Sequence, residues 1–154
     1  MARPLMITVG ATTAAVLLYF TPQFEGMVLR GYKDPIGVVT ACAGHTATAV
    51  LGRAYTKAEC SQLLQQDLEE HAEGVLRCTP GLKGRIPQLA AAVSFTFNVG
   101  ITKYCGSTMA KKFAAQDYKG ACAELPKWVY AGGEALPGLV KRRAAEYALC
   151  VDGL

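Results

Sequence analysis

The chain opens on a long run without charge. From Pro4 to Phe24 every residue is apolar, small or uncharged polar, and Glu25 is the first charged side chain after Arg3. A helix of some twenty such residues reaches about 30 Å, the depth of a bilayer's hydrocarbon core. Thr8, Gly10, Thr12, Thr13 and three alanines dilute its hydrophobicity. The run closes on Leu17-Leu18-Tyr19-Phe20, too bulky for the small-residue cleavage site of a removed signal peptide. The preferred reading is a weak, uncleaved membrane anchor with Arg3 retained inside. A buried first helix and a cleaved signal are the alternatives.

Beyond Phe24 the pattern changes. Met27 to Cys42 holds β-branched alternation around Asp34-Pro35-Ile36-Gly37, a turn with proline at its second position and glycine at its last, so a hairpin is expected. Val38, Thr40 and Cys42 should share one face, Val39 and Ala41 the other. Thr56-Lys57-Ala58-Glu59 forms a capping box, and Cys60, Leu64, Leu68, Ala72 and Val75 follow at helical spacing, predicting a helix to about Arg77. Pro87 suits the first turn of a second helix that carries Leu89, Ala92, Val93, Thr96 and Phe97 and stops at Gly100. Shorter helices are expected over 108–115, 118–125 and 138–149. The fold class is α+β, a small β lobe near residues 26–50 and a mainly helical remainder.

With 154 residues the chain suits one domain with a short appendage. Its 51% apolar content excludes intrinsic disorder. A net charge of +4 suits an anionic partner such as a cell wall without calling for nucleic acid. Six cysteines (Cys42, Cys60, Cys78, Cys105, Cys122, Cys150) stand 17 to 28 residues apart with no C-x-x-C pair. That spacing argues against a zinc ribbon or a thioredoxin-type site and for disulfides formed in an oxidising compartment. No metal or cofactor is expected. Of the fifteen pairings open to six cysteines, Cys122–Cys150 would join two C-terminal helices that can pack antiparallel, and Cys42–Cys60 the hairpin to the long helix. Cys78–Cys105 remains, with a helix of about 20 Å between its partners.

Two carboxylates, Glu25 and Asp34, follow the apolar run closely, with Thr40 on the expected strand. Glycoside hydrolysis needs one carboxylic acid to protonate the leaving oxygen and a second carboxylate to activate water or attack. Taken alone, two acids nine positions apart are ordinary surface residues. Their neighbourhood is more specific. Glu25-x8-Asp34-x5-Thr40, with Tyr32-Lys33-Asp34 and Gly44-His45-Thr46 around it, resembles the signature of phage-type lysozymes, glycoside hydrolase family 24. The resemblance continues through Tyr55–Glu59, Ser94–Gly100, Trp128–Gly133 and Gly138–Arg143.

The resemblance implies a lysozyme-like fold and a muramidase that cuts the bond between N-acetylmuramic acid and N-acetylglucosamine in peptidoglycan. Glu25 would be the general acid, Asp34 would activate or position the attacking water, and Thr40 would hold that water. An inverting enzyme would hold the two carboxyl groups about 6.5–9.5 Å apart. Many relatives carry glycine where this chain has Cys42. A lytic transglycosylase, which needs only the glutamate, and a non-catalytic wall-binding protein are the competing readings. The N-terminus resembles the signal-anchor-release segments of some phage endolysins. Residues 1–24 would then tether an inactive monomer to the inner membrane, N-terminus inside, and residues 25–154 would form the muramidase domain released into the periplasm.

Other residues are assigned structural parts. His45 is expected to pair with Asp67, stabilising the fold at neutral or acid pH. Phe95, Phe97 and Trp128 belong more naturally to a core than to a sugar platform. Lys141-Arg142-Arg143 is expected to form a solvated helix face.

Overall fold

The structure, a computed structural model, describes residues 4–154. The uncharged run does not form one continuous helix. Helix α1 (Leu5–Val9) stops at Gly10, whose φ of 86° lies outside helical space, and α2 (Ala11–Phe20) begins after it. Pro22 then opens the single-turn α3 (Pro22–Glu25). Both longer pieces lie in the domain: α1 packs on α4 (Lys57–Cys78) and α2 on α5 (Ile86–Val99). Leu5, Val9, Ala14 and Leu17 join the main hydrophobic core. Thr8 adds a polar tie, donating its hydroxyl to Glu69 Oε1 of α4 at 2.5 Å. No helix among the described residues is long and apolar enough to cross a membrane. Arg3, on which the expected orientation depends, lies outside the described residues.

The hairpin forms where the alternation placed it. Strand β1 (Val28–Lys33) runs antiparallel to β2 (Val39–Cys42), with Tyr32 opposite Thr40, Val28 opposite Cys42 and an irregularity between. The other edge of β1 bonds the returning chain: the Gly31 amide donates to Arg53 O at 2.9 Å and the Tyr55 amide to Leu29 O at 2.8 Å. A Cβ on Gly31 would stand 1.9 Å from Val50 O, so only glycine allows this approach. Strict alternation along β2 does not hold. Thr40, Ala41 and Cys42 are all buried. Cys42 adopts a left-handed φ of 57° and is tied to Cys60 at the start of α4, so the strand's end is covered on both sides.

Helix α4 starts at the expected capping box: the Glu59 amide donates to the Thr56 hydroxyl and the Thr56 amide to the Glu59 carboxylate. At 22 residues it extends about 33 Å and links the two lobes. Helix α5 is the centre of the helical lobe, buried from Gln88 to Thr96. Helix α6 (Ile101–Cys105), which the pattern did not predict, restarts directly after Gly100. It packs back on α4, and this closes the distance for the Cys78–Cys105 bridge. Helix α7 (Thr108–Ala114) follows. Helix α8 (Tyr118–Cys122) is shorter than expected, because Pro126 sits in a separate 3-10 turn over Leu125–Lys127. A two-residue hairpin, β3 (Tyr130–Ala131) and β4 (Glu134–Ala135), turns on Gly132-Gly133. Helix α9 (Pro137–Cys150) packs along α5.

All six cysteines pair as expected, including the remaining pair Cys78–Cys105: Cys42–Cys60, Cys78–Cys105 and Cys122–Cys150 have Cα separations of 5.0, 5.6 and 5.7 Å. Each bridge contributes on the order of 2–4 kcal/mol by restricting the unfolded chain. The architecture is the expected α+β arrangement, a small antiparallel β lobe beside a helical lobe.

Candidate active site

Glu25 ends α3, and Gly26, at φ 68°, turns the chain from that helix into β1. Asp34 begins the turn at the far end of β1, and β2 sets Thr40 opposite Tyr32, close to that turn, before returning to Cys42 opposite Val28. The chain then bends sharply after β2. Ala41 and His45 exchange both backbone hydrogen bonds, at 2.9 and 2.8 Å. Gly44, at φ 78°, is thereby turned onto the Glu25 carboxylate. A short proline-initiated helix and a glycine bend thus fix Glu25 from two sides.

Asp34 and Thr40 are held by the hairpin itself. Asp34 Oδ1 accepts the amides of Ile36 at 3.0 Å and Val38 at 2.8 Å, the self-bonding that favours aspartate at such turns. Thr40 is 5% exposed, and its hydroxyl donates to Val38 O at 3.1 Å. With its hydrogen spent on that carbonyl, the Thr40 oxygen remains as an acceptor.

The Lys141-Arg142-Arg143 triplet corrects the expected solvated face. Lys141 is exposed, but Arg142 and Arg143 are 3% and 1% exposed. Arg142 Nη1 ion-pairs with Glu25 Oε1. Its Nη2 donates to Ser94 O of α5 at 3.0 Å, and its Nε reaches Glu146 Oε2 at 3.4 Å. Arg143 ion-pairs with Glu146 through Nη1, donates to Asn98 Oδ1 through Nη2, and donates to Trp128 O through Nε at 3.0 Å. Glu146, wholly buried, also accepts the Ser94 hydroxyl at 2.6 Å. Buried guanidinium groups persist only when their fixed fork of donors meets acceptors, as it does here. Burial pulls Arg143 below the usual guanidinium range, and the adjacent Glu146 carboxylate opposes that pull.

Two aromatic contacts complete this wall: Arg142 stands 5.5 Å over the Phe24 ring and Arg143 4.9 Å over Phe95. Phe95 is fully buried, and Trp128 meets it edge-on at 5.2 Å between ring centres. Trp128 is only partly buried, and its free part lines a groove of about 470 Å³ with Asn98, Lys103, Lys127, Tyr130 and Arg143. It belongs to core and groove together.

His45 and Asp67 meet as expected, Nδ1 to Oδ2 at 2.8 Å, while His45 Nε2 lies 2.7 Å from the Thr48 hydroxyl. The electrostatic consequence differs from the expected one. Burial raises Asp67 above its ordinary value of 3.8 and outweighs the lowering by the His45 hydrogen bond and charge. The pair is therefore a geometric tie whose carboxylate is disfavoured by folding. Among the described residues no three His, Cys, Asp or Glu side chains converge as a metal site would require.

The chain is similar to known proteins over nearly its whole length. The phage lysozyme family matches residues 22–146. The SAR-endolysin of Enterobacteria phage PA-2 is 40% identical over 151 residues, covering 94% of this chain and 90% of the relative. Among solved structures, the muramidase domain of SpmX from Asticaccaulis excentricus superposes with a TM-score of 0.78 at 26% identity, covering 93% of this chain and 97% of that one. The active form of the phage P1 endolysin Lyz superposes at 0.81 over 99% of this chain and 96% of its own, at 20% identity, a likeness of fold.

Proposed function

The chain belongs to the phage lysozyme family, and on that premise we propose that it is a muramidase that hydrolyses the β-1,4 bond between N-acetylmuramic acid and N-acetylglucosamine in peptidoglycan. The observation that carries this reading is the placement of Glu25 at the end of α3, Asp34 in the hairpin turn and Thr40 on β2, with Gly44 turned back onto Glu25.

In the proposed reaction Glu25, protonated, donates to the glycosidic oxygen as the bond from the anomeric carbon breaks. A water attacks that carbon from the opposite face and gives its proton to Asp34. The Thr40 oxygen accepts the water's other hydrogen and so aims its lone pair. The products are a new reducing end with inverted configuration and a free hydroxyl on the leaving sugar. Glu25 ends ionised and Asp34 protonated, and exchange with solvent restores both. The two amides bonded to Asp34 Oδ1 fix its carboxylate, so little reorganisation is needed at the moment of attack.

The uncharged N-terminal run supports a second part of the proposal. Residues 4–24 first tether the chain to the inner membrane, then leave it and dock on the domain in the periplasm. The broken α1–α2 arrangement is the docked form. Since α3 continues directly from α2, Glu25 cannot settle against Arg142 and Gly44 while α2 is in lipid.

Product analysis tests the reaction. Digestion of purified peptidoglycan should release fragments with a reducing end of inverted anomeric configuration. Anhydro-sugar ends would indicate a transglycosylase, and no release from a folded protein would indicate a wall-binding protein.

A further inference from the structure

The bend that turns Gly44 onto Glu25 is anchored to α4 at both ends. Cys42 is bonded to Cys60, and His45 Nδ1 lies 2.8 Å from Asp67 Oδ2. Cys60 and Asp67 are seven residues apart, two helical turns, so the anchors rise from one side of α4 about 10 Å apart. Of the five residues from Ala41 to His45, Gly44 alone is exposed. Ala41 and Cys42 pack with Tyr55 and Cys60, and Ala43 joins the main core. The bend is strained as well: Cys42 and Gly44 are both left-handed, at φ 57° and 78°. A non-glycine residue holds such a conformation only where its surroundings over-determine it, and such positions gather at active sites.

We propose that His45 and Asp67 are positioning residues for the reaction, closing a clamp that holds Gly44 against Glu25. Arg142 engages Glu25 Oε1 from α9 and Gly44 bounds Oε2, so the carboxyl is set between a guanidinium and the backbone of the bend. The His45 ring is itself fixed from both sides. It is 4% exposed, the Thr48 amide donates to Nε2 at 3.2 Å, and the Nδ1 proton goes to Asp67. Without Asp67 the bend would keep only its Cys42 anchor, and its Gly44 end would be free to draw back from Glu25. A displacement of about 1 Å at a reacting group costs on the order of a hundredfold in rate. His45 and Asp67 act through the backbone between Ala41 and His45, whose two hydrogen bonds close the bend, and not on the substrate.

This inference rests on Glu25 being the general acid, and the experiment separates the two. For the full chain and its variants, kcat and KM on purified peptidoglycan are measured well below every melting temperature, with folding checked by circular dichroism. Asp67→Asn keeps an oxygen to accept the Nδ1 proton and should keep kcat within about twofold of the parent. Asp67→Ala removes the anchor and should lower kcat by about tenfold or more, with KM little changed. In a Gly44→Ala background the contact with Glu25 is already disturbed. The same Asp67→Ala step should there cost less than about threefold, because changes that act through one contact do not add. If Asp67→Ala does not fold, Thr48→Val, which removes the hydroxyl 2.7 Å from the other ring nitrogen, should show the same pattern with a smaller fall.

A pair that only supports the fold would lower the melting temperature and leave kcat of the folded enzyme unchanged, or would add its full cost to that of Gly44→Ala. Either result overturns the clamp, as does a loss in Asp67→Asn equal to that in Asp67→Ala. With Glu25→Gln inactive, the Glu25 assignment stands through any of these. An active Glu25→Gln overturns the assignment beneath it.

Discussion

Gly44 faces the catalytic carboxylate of the proposed reaction so closely that a single methyl at its α-carbon would stand 3.3 Å from Glu25 Oε2. Its φ of 78° would also strain any L side chain, at about 1 kcal/mol. Gly44→Ala should therefore cost little stability and much activity, because the neighbour that must give way is Glu25. The expected result is a fall of tenfold or more in kcat, on the order of 1.4 kcal/mol in the barrier, with a melting temperature within a few degrees of the parent.

The Thr8–Glu69 hydrogen bond is the polar tie between α1 and α4, set among buried apolar contacts. Thr8→Val keeps the shape and removes the donor to a buried carboxylate, costing about 1–3 kcal/mol. Thermal unfolding should show a melting temperature lower by several degrees. Amide exchange should show faster opening of residues 5–20 than in the parent.

Two carboxylates should show opposite pH signatures. Glu124 is held below its ordinary value of 4.5, first by the Lys112 hydrogen bond and then by that of Lys127. A group lowered by folding contributes stability above its unfolded pKa and loses it as pH falls through the folded one. Asp67 is raised, chiefly by burial, so its ionisation subtracts stability as pH rises through its folded pKa. Urea melts across the acid range should show Glu124→Gln falling further behind the parent as pH rises. Asp67→Asn should gain on the parent over the same direction.

Membrane tethering makes its own demand on composition. Leucine at Gly10, Thr12 and Thr13 would raise the hydrophobicity of the run and let a single helix replace the break at Gly10. Fractionation of expressing cells should find that triple variant retained in the membrane and inactive, whereas the parent appears in the periplasm after the membrane potential collapses. Equal lysis by both would contradict the tether.

Much of this fold can be read where local chemistry decides the outcome. The Thr56–Glu59 box, the Pro87 opening and the Gly100 stop each satisfy or end a helix through nearest neighbours alone, and all three stand as expected. Two of the disulfides followed from which elements could lie side by side, and Cys78–Cys105 was the pair that remained. What stayed hidden depends on long-range partners. Apart from one local spacing, nothing distinguishes Arg142 and Arg143 from Lys141, and their burial is decided largely by Glu25, Ser94 and Asn98, up to 117 positions away. The i+3 and i+4 spacing to Glu146 was the available signal. Gly132-Gly133 was likewise an available hairpin cue, and the break at Gly10 was available in its composition. The coupling of Glu25 to Arg142 was not, since it exists only once α9 lies on α5.

The central claim is that Glu25 supplies the proton that breaks the glycosidic bond. Its most direct test is the turnover of purified peptidoglycan by Glu25→Gln, shown by circular dichroism and melting to be folded. The amide keeps the shape of the side chain and can still accept from Arg142, but it cannot donate a proton to the leaving oxygen. Loss of turnover by a factor of about 10³ or more, within the range assigned to general acid catalysis with its coupled steps, is the result expected. Turnover within tenfold of the parent would contradict the account.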